Sequence, residues 1–239
     1  MLIIKNLYVK IKNNLIIKKL NLKINKGEIH ILMGPNGSGK SSLSYTITRK
    51  VNYNIYKGKI KFNNKLINKL NTYEVSKLGI FLSFQYPIEI YGITMFNFLK
   101  NLFKKNKNKY IKYIFKLCNK LDINKKYLNR YFNYGFSGGE KKKNEILQML
   151  ILKPKFSILD EIDSGLDIDS LKIIFNNIKY YIKKKKDSSF LIITHNTNII
   201  NYIKPNFIHI LYNGKIIKTG NLHLLNKINK YGYKNIINF

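Results

Sequence analysis

The run Gly34-Pro35-Asn36-Gly37-Ser38-Gly39-Lys40-Ser41 has the residue types and the spacing of a phosphate cradle. Gly34, Gly37 and Gly39 let the backbone curl so that its N–H groups face an anion, and a following helix points its positive dipole end at the same place. Lys40 then reaches β- and γ-phosphates, and Ser41 offers a hydroxyl to Mg²⁺; the whole candidate cradle is Gly34, Pro35, Asn36, Gly37, Ser38, Gly39, Lys40, Ser41 and Ser42. Downstream, an apolar run ends in Asp160-Glu161. Asp160 is placed to help hold Mg²⁺ through a hard carboxylate oxygen, and Glu161 to orient and polarise an attacking water. His195 follows a second apolar run, Phe190 to Thr194, and is placed to hydrogen-bond a γ-phosphate. Gln85 ends a third such run, where its amide can touch Mg²⁺ or the lytic water.

A second loop, Phe136-Ser137-Gly138-Gly139-Glu140, opens a long helical pattern. Its serine hydroxyl, the N–H groups of Gly138 and Gly139 and the helix N-terminus make another anion site. If the two loops lie on separate lobes, one chain cannot wrap a single γ-phosphate with both. A head-to-tail pair, in which each serine-glycine turn closes the partner's nucleotide, resolves this.

The elements that must position these residues are legible as periodicity. Leu2 to Val9 and Leu15 to Ile24 alternate as an antiparallel hairpin, and Glu28 to Met33 is a β-rich strand feeding the cradle. Ser41 to Lys50 has helical spacing, Lys57 to Phe62 and Gly79 to Phe84 read as strands, and Met95 to Leu152 is helical in period. After Phe156 the pattern returns to strand Phe156 to Leu159, helix Ile168 to Tyr181, strand Phe190 to Thr194, then Phe207 to Tyr212 turning at Asn213-Gly214 into Lys215 to Lys218. The reading is an α/β fold of one domain over 1–239. Residues 1–86 and 153–239 form the nucleotide-binding core lobe, and 87–152 form an inserted helical subdomain.

Bulk properties narrow the function. The 239 residues are 45% hydrophobic, enough for a packed core without staples. The one cysteine, Cys118, excludes an intrachain disulfide framework, fits a reducing compartment, and cannot supply the ligands of a zinc site or an iron–sulfur cluster. No leader pattern precedes the first strand, and no apolar run approaches the roughly 20 residues a bilayer requires, so a soluble protein is expected. A formal charge of +32, from 44 basic and 12 acidic residues, raises nucleic acid as a partner. Lys, Asn and Ile are scattered over every tolerant position, however, as a composition biased toward A and T would produce. Blocks such as Lys104-Lys105-Asn106-Lys107 and Lys183 to Lys186 lack interleaved stacking aromatics, so they read as solvated helix ends or loops, not nucleic-acid contacts. His30, His209 and His223 have no tie to the phosphate positions and read as structural.

Taken in order, the glycine-rich loop, Gln85, Ser137 to Glu140, Asp160-Glu161, Ser164-Gly165-Leu166-Asp167 and His195 resemble the ATP-binding-cassette (ABC) ATPases over essentially the whole chain. The resemblance implies a P-loop fold with a RecA-like core, an N-terminal antiparallel β subdomain and a helical signature subdomain. It also implies Mg-ATP hydrolysis in a nucleotide-dependent dimer. Phe84-Gln85-Tyr86-Pro87-Ile88-Glu89-Ile90, Gly135 to Met149 and Leu159 to Lys172 further resemble the SufC subfamily, the ATPases of SUF iron–sulfur cluster assembly. That implies docking on SufB- and SufD-like scaffold proteins, through the groove near Tyr86 to Thr94, in a bacterial-type cytoplasm or a plastid stroma. The alternative is the ATP-binding subunit of a membrane transporter. A nucleic-acid-bound cassette usually needs tandem cassettes, a coiled-coil insert or zinc-ligating cysteines. Two positions depart from the pattern: Ile11 stands where an aromatic often stacks on adenine, and Lys143 stands in place of an arginine, with a weakened local ion pair as the expected cost.

Overall fold

The computed structural model describes residues 1–103 and 107–237; Lys104, Lys105 and Asn106 of the first basic block lie outside the described residues. Strands β1 (Leu2–Ile11) and β2 (Asn14–Ile24) form the expected hairpin, with Leu2 opposite Ile24 and Ile11 opposite Asn14. Their alternating burial turns one face inward. With β4 (Asn54–Phe62) and the short β5 (Lys65–Leu66) they build a four-stranded antiparallel sheet in the order β2-β1-β4-β5.

The second sheet carries the chemistry. Its strands are β3 (Ile29–Met33), β6 (Ile80–Ser83), β9 (Phe156–Asp160), β10 (Ser189–Ile193), β11 (Phe207–Tyr212) and β12 (Lys215–Gly220), in the order β12-β11-β3-β10-β9-β6. All but β12 run parallel. Every residue of β3, β9 and β10 is buried, as expected of strands covered on both faces. Parallel alignment puts the carboxyl ends of β3, β6, β9 and β10 on one edge, so Gly34, Gln85, Asp160 and His195 emerge together.

Helix α1 (Lys40–Ile47) follows the cradle and stops short of the expected Lys50, where Arg49 turns to φ 58°. A six-residue helix, α2 (Thr72–Lys77), starts at a capping box in which Asn71 accepts the Glu74 amide and Glu74 accepts the Asn71 amide. Helix α6 (Ile168–Lys184) begins where Asp167 accepts the Ser170 amide at 2.7 Å. The last helix, α7 (Leu222–Ile237), is broken at Gly232.

The segment expected to be helical from Met95 to Leu152 is not continuous. It holds α3 (Met95–Asn101), α4 (Lys107–Leu121), a 3₁₀ turn at Lys125–Asn129, a two-residue strand β8 (Tyr131–Phe132) and α5 (Gly138–Leu152). Strand β8 pairs with β7 (Ile90–Thr94), and Phe132 packs on Phe98 with ring centroids 4.2 Å apart. Two residues are too few to display a period in sequence. Among the described residues no helix is long and apolar enough to cross a membrane.

Two apolar clusters hold the layers together. One lies between the two sheets and includes Leu43 and Ile47 of α1; the other joins the parallel sheet to α3, α4, α5 and α6. Cys118 is buried in the second, where burial pushes its thiol up to about 11 and leaves it an inert packing group. The Lys183 to Lys186 block ends α6, and its neighbourhood is more aromatic than its sequence suggests: Lys120 and Lys184 lie 3.9 and 5.0 Å from the Tyr180 ring centre.

Candidate active site

The cradle's shape follows from three glycines. Gly34 has φ 153°, and a Cβ there would fall 2.1 Å from the Leu211 carbonyl oxygen, so only a hydrogen fits where β11 crosses the loop. Gly37 and Gly39 have φ 76° and 104°, in the left-handed region. Gly39 caps α1 without any side-chain partner for the first-turn amides, which leaves those N–H groups free to receive an anion. The turn Asn213-Gly214 braces the loop from outside, with the Gly214 amide donating to the Ser38 carbonyl at 3.0 Å.

Lys40 folds back into the loop, and its Nζ donates to the carbonyls of Gly34 at 2.9 Å and Pro35 at 3.0 Å. Burial lowers its pKa, while Glu161 and Asp160 oppose that shift. Asp160 ends β9 fully buried, where Ser44 Oγ donates to its Oδ2 at 3.1 Å and Oδ1 has no partner. Burial raises the Asp160 carboxyl above its ordinary range.

Glu161 leaves the strand at φ 48°, a left-handed conformation costly for a residue with a Cβ. Its amide donates to the Ile193 carbonyl at 2.9 Å, tying the strained residue to β10. The carboxylate then lies between two partners: Gln85 Nε2 donates to Oε2 at 2.7 Å, and His195 Nδ1 is 3.6 Å from Oε1. The His195 side chain is 58% exposed and that of Glu161 12%. The loop carrying His195 is tied down through Thr194, which donates to Asp163 at 2.8 Å and accepts the Asn196 amide at 2.9 Å.

Asn36, Gly37, Gly39, Lys40, Ser41, Ser42, Gln85, Glu161 and His195 line one open cleft of about 460 Å³. Gly34, Pro35, Ser38 and Asp160 do not line it; Gly34, Ser38 and Asp160 are buried and Pro35 half-buried. The donor set fits Mg-ATP on two counts: a buried carboxylate oxygen of Asp160 lacks a partner, and the glycine cradle bares unpartnered helix amides.

Ser137, Gly138 and Gly139 do not line that cleft. Ser137 caps α5 in a reciprocal box, its Oγ accepting the Glu140 amide at 3.3 Å while Glu140 accepts the Ser137 amide at 2.7 Å. Tyr127 fixes Glu140 further by donating to it at 2.6 Å. Ser137 and Gly138 are exposed, with nothing near Gly138, so the turn is presented outward. Several residues of this region had no signal in the sequence. Ile16, not Ile11, lines the cleft, and Ser44 supplies the hydrogen bond to Asp160. Lys143 does pair, with Asp122 at 3.4 Å, although that carboxylate is 78% exposed and the pair is worth little.

The ABC transporter family model matches residues 17–164, more than half of the chain. The chain belongs to the ABC transporter family. It is an ABC-type ATPase with the cassette fold. A probable ATP-dependent transporter of Trieres chinensis, ycf16, is 46% identical over 242 residues, covering 97% of this chain and 95% of the relative. Another probable ATP-dependent transporter, slr0075 of Synechocystis sp., is 44% identical over 241 residues, covering 96% and 93%. Among solved structures, a nucleotide-free ATP-binding cassette from an ABC transporter superposes with a TM-score of 0.77 at 25% identity, covering 96% of this chain and 95% of that one. The dimeric post-hydrolysis cassette MJ0796 bound to ADP and Pi superposes with a TM-score of 0.79 at 22% identity, covering 93% and 99%. In this ABC cassette the two loops singled out in the sequence therefore sit on one well-attested fold.

Proposed function

We propose that this ABC ATPase is a SufC-type subunit that couples Mg-ATP hydrolysis to rearrangement of SufB- and SufD-like scaffold proteins during iron–sulfur cluster assembly. The hydrolytic part of the reading is carried by one observation, the Glu161 carboxylate held 2.7 Å from the Gln85 amide at a cleft that also holds Lys40 and Ser41. Lys40 leaves its loop carbonyls and neutralises β- and γ-phosphate charge. Ser41, Gln85 and Asp160 are the residues to hold Mg²⁺, which supplies further charge neutralisation. Glu161 orients water and accepts its proton, and His195 hydrogen-bonds the γ-phosphate.

Ser137, Gly138 and Gly139 complete the site of a second copy in a head-to-tail dimer. Their outward presentation, away from the chain's own cleft, supports this. Residues 87–152 then move as a lobe against 1–86 and 153–239, with Gln85 at the joint. The scaffold docks beside that joint, where Tyr86 is 80% exposed and Tyr91 packs against Tyr134 with the rings tilted and their centroids 4.9 Å apart. The motifs around Gln85 and Asp167 that resemble SufC support the scaffold assignment, as does the inert Cys118, which leaves cluster ligation to partners. The compartment in this reading is a bacterial-type cytoplasm or a plastid stroma.

The second reading, the ATPase subunit of a membrane transporter, is favoured by the description of ycf16 and slr0075 as probable ATP-dependent transporters. Affinity capture of the tagged chain from its native source, followed by mass spectrometry, separates them. Co-purifying soluble scaffold proteins support the SUF reading, and a multi-span permease contradicts it.

A further inference from the structure

Helix α5, which Ser137 caps, also holds the strand end that leads to Gln85. Lys142 and Glu145 lie one turn apart on the same face, each almost wholly buried, and together they hold both main-chain polar groups of Phe84, its amide and its carbonyl. Glu145 accepts the Phe84 amide at 2.8 Å on Oε1 and the Ser83 hydroxyl at 2.7 Å on Oε2. Lys142 donates to the Phe84 carbonyl at 2.7 Å and the Gln85 carbonyl at 3.1 Å, with its Nζ 4.0 Å from Glu145. The next side chain along is Gln85, whose amide is bonded to Glu161.

A buried lysine–glutamate pair is a weak device for stability, since apolar residues of similar volume usually serve as well or better. Its worth here is geometric. A carboxylate with both oxygens committed to one strand end fixes that end relative to the helix to within hydrogen-bond tolerance. Ser137 lies five residues before Lys142 on that helix, about 7.5 Å along its axis. A displacement at the capped end is therefore handed to Gln85 with little slack.

We propose that Glu145 is a positioning residue that sets Gln85 against Glu161 from the serine-capped helix. The inference rests on the reading of Gln85 and Glu161 given above. Glu145 itself does not line the cleft; it acts through the Phe84 amide. Loss of that bond lets Gln85 drift, and a drift of about 1 Å costs up to roughly a hundredfold in rate.

The test is a double-mutant cycle on the full chain, with E145A, Q85A and the double variant, reading saturating turnover and nucleotide Kd. E145A is expected to lower kcat by about 10- to 100-fold and to change nucleotide Kd by less than about threefold. The double variant is expected to match Q85A within about twofold, because the step that Glu145 serves is already gone. E145Q, which keeps an acceptor for the Phe84 amide, is expected to recover most of the rate. Losses that multiply in the double variant, or intact turnover in E145A, would overturn the inference while leaving the site reading standing. Intact turnover in Q85A would overturn the site reading, and this inference with it. If E145A fails to fold, E145D, one methylene shorter, replaces it in the same cycle with the same criteria.

Discussion

Gln85 Nε2 donates to Glu161 Oε2 at 2.7 Å, although the two residues sit at the ends of neighbouring strands and 76 positions apart in sequence. The bond ties the candidate base to Gln85, the residue proposed as the joint between lobes. Removing the charge but not the shape of Glu161 therefore isolates its chemical role. Glu161→Gln is expected to keep nucleotide affinity within about threefold and to lose at least about a hundredfold in turnover, measured by phosphate release beside a nucleotide titration. Unchanged release would remove Glu161 as the base.

Lys40 now spends its ammonium on two loop carbonyls, so its exchange for phosphate is between charge-assisted partners and costs little rearrangement. Lys40→Ala is expected to weaken nucleotide binding by at least about tenfold, read by titration calorimetry. Wild-type affinity would contradict the cradle assignment.

Gly34→Ala places a methyl group 2.1 Å from a backbone oxygen that no rotamer change can move. The loop or strand β11 must shift, and a stability loss of at least about 2 kcal/mol is expected in denaturant unfolding. Gly37→Ala meets nothing within 4 Å and bears only its positive φ, so its loss is expected to stay near 1 kcal/mol. Equal losses would show that close approach, the reason given for Gly34, is not what constrains it.

A chain of contacts runs from the half-buried Glu28 through the buried His30 and His209 to the exposed Thr219, at 2.9, 2.8 and 2.8 Å. Burial, then the neighbouring His30, lowers the His209 pKa from 6.5 to about 3. A histidine held neutral on folding takes its proton mainly when the chain unfolds, so its contribution to stability is whole above about pH 6.5 and is lost as pH falls toward 3. Melting temperatures of wild type and His209→Gln across that range are expected to converge as the pH is lowered, and a pH-independent difference would contradict the neutral assignment.

What could be read from sequence was what is local in sequence. Gly34 to Ser41, Ser137 to Glu140 and Asp160-Glu161 each carry their chemistry within a few consecutive residues, and the flanking strands have clear periods. Partners brought together by the sheet were not legible. Glu145 meets Phe84 across 61 positions and His30 meets His209 across 179, and nothing in the local pattern of either announces it. Strand β8 was lost inside a helical period because two residues show no alternation. Ile16, not Ile11, reaches the cleft because the chain reverses at the Lys12-Asn13 turn and β2 then brings Ile16 back beside the loop.

The central claim is that the nucleotide gripped by one copy meets the serine-glycine turn of another, and disulfide trapping tests it most directly. Asn36 and Gly138 are both exposed, Gly138 has nothing within 4 Å of an added Cβ, and the native Cys118 is buried out of reach. In a Glu161→Gln background, Asn36→Cys paired with Gly138→Cys is expected to form covalent dimers under mild oxidation with Mg-ATP, and few without nucleotide. Each single-cysteine chain is expected to form none between these loops. Failure to crosslink with Mg-ATP, or equal crosslinking without it, would contradict the account.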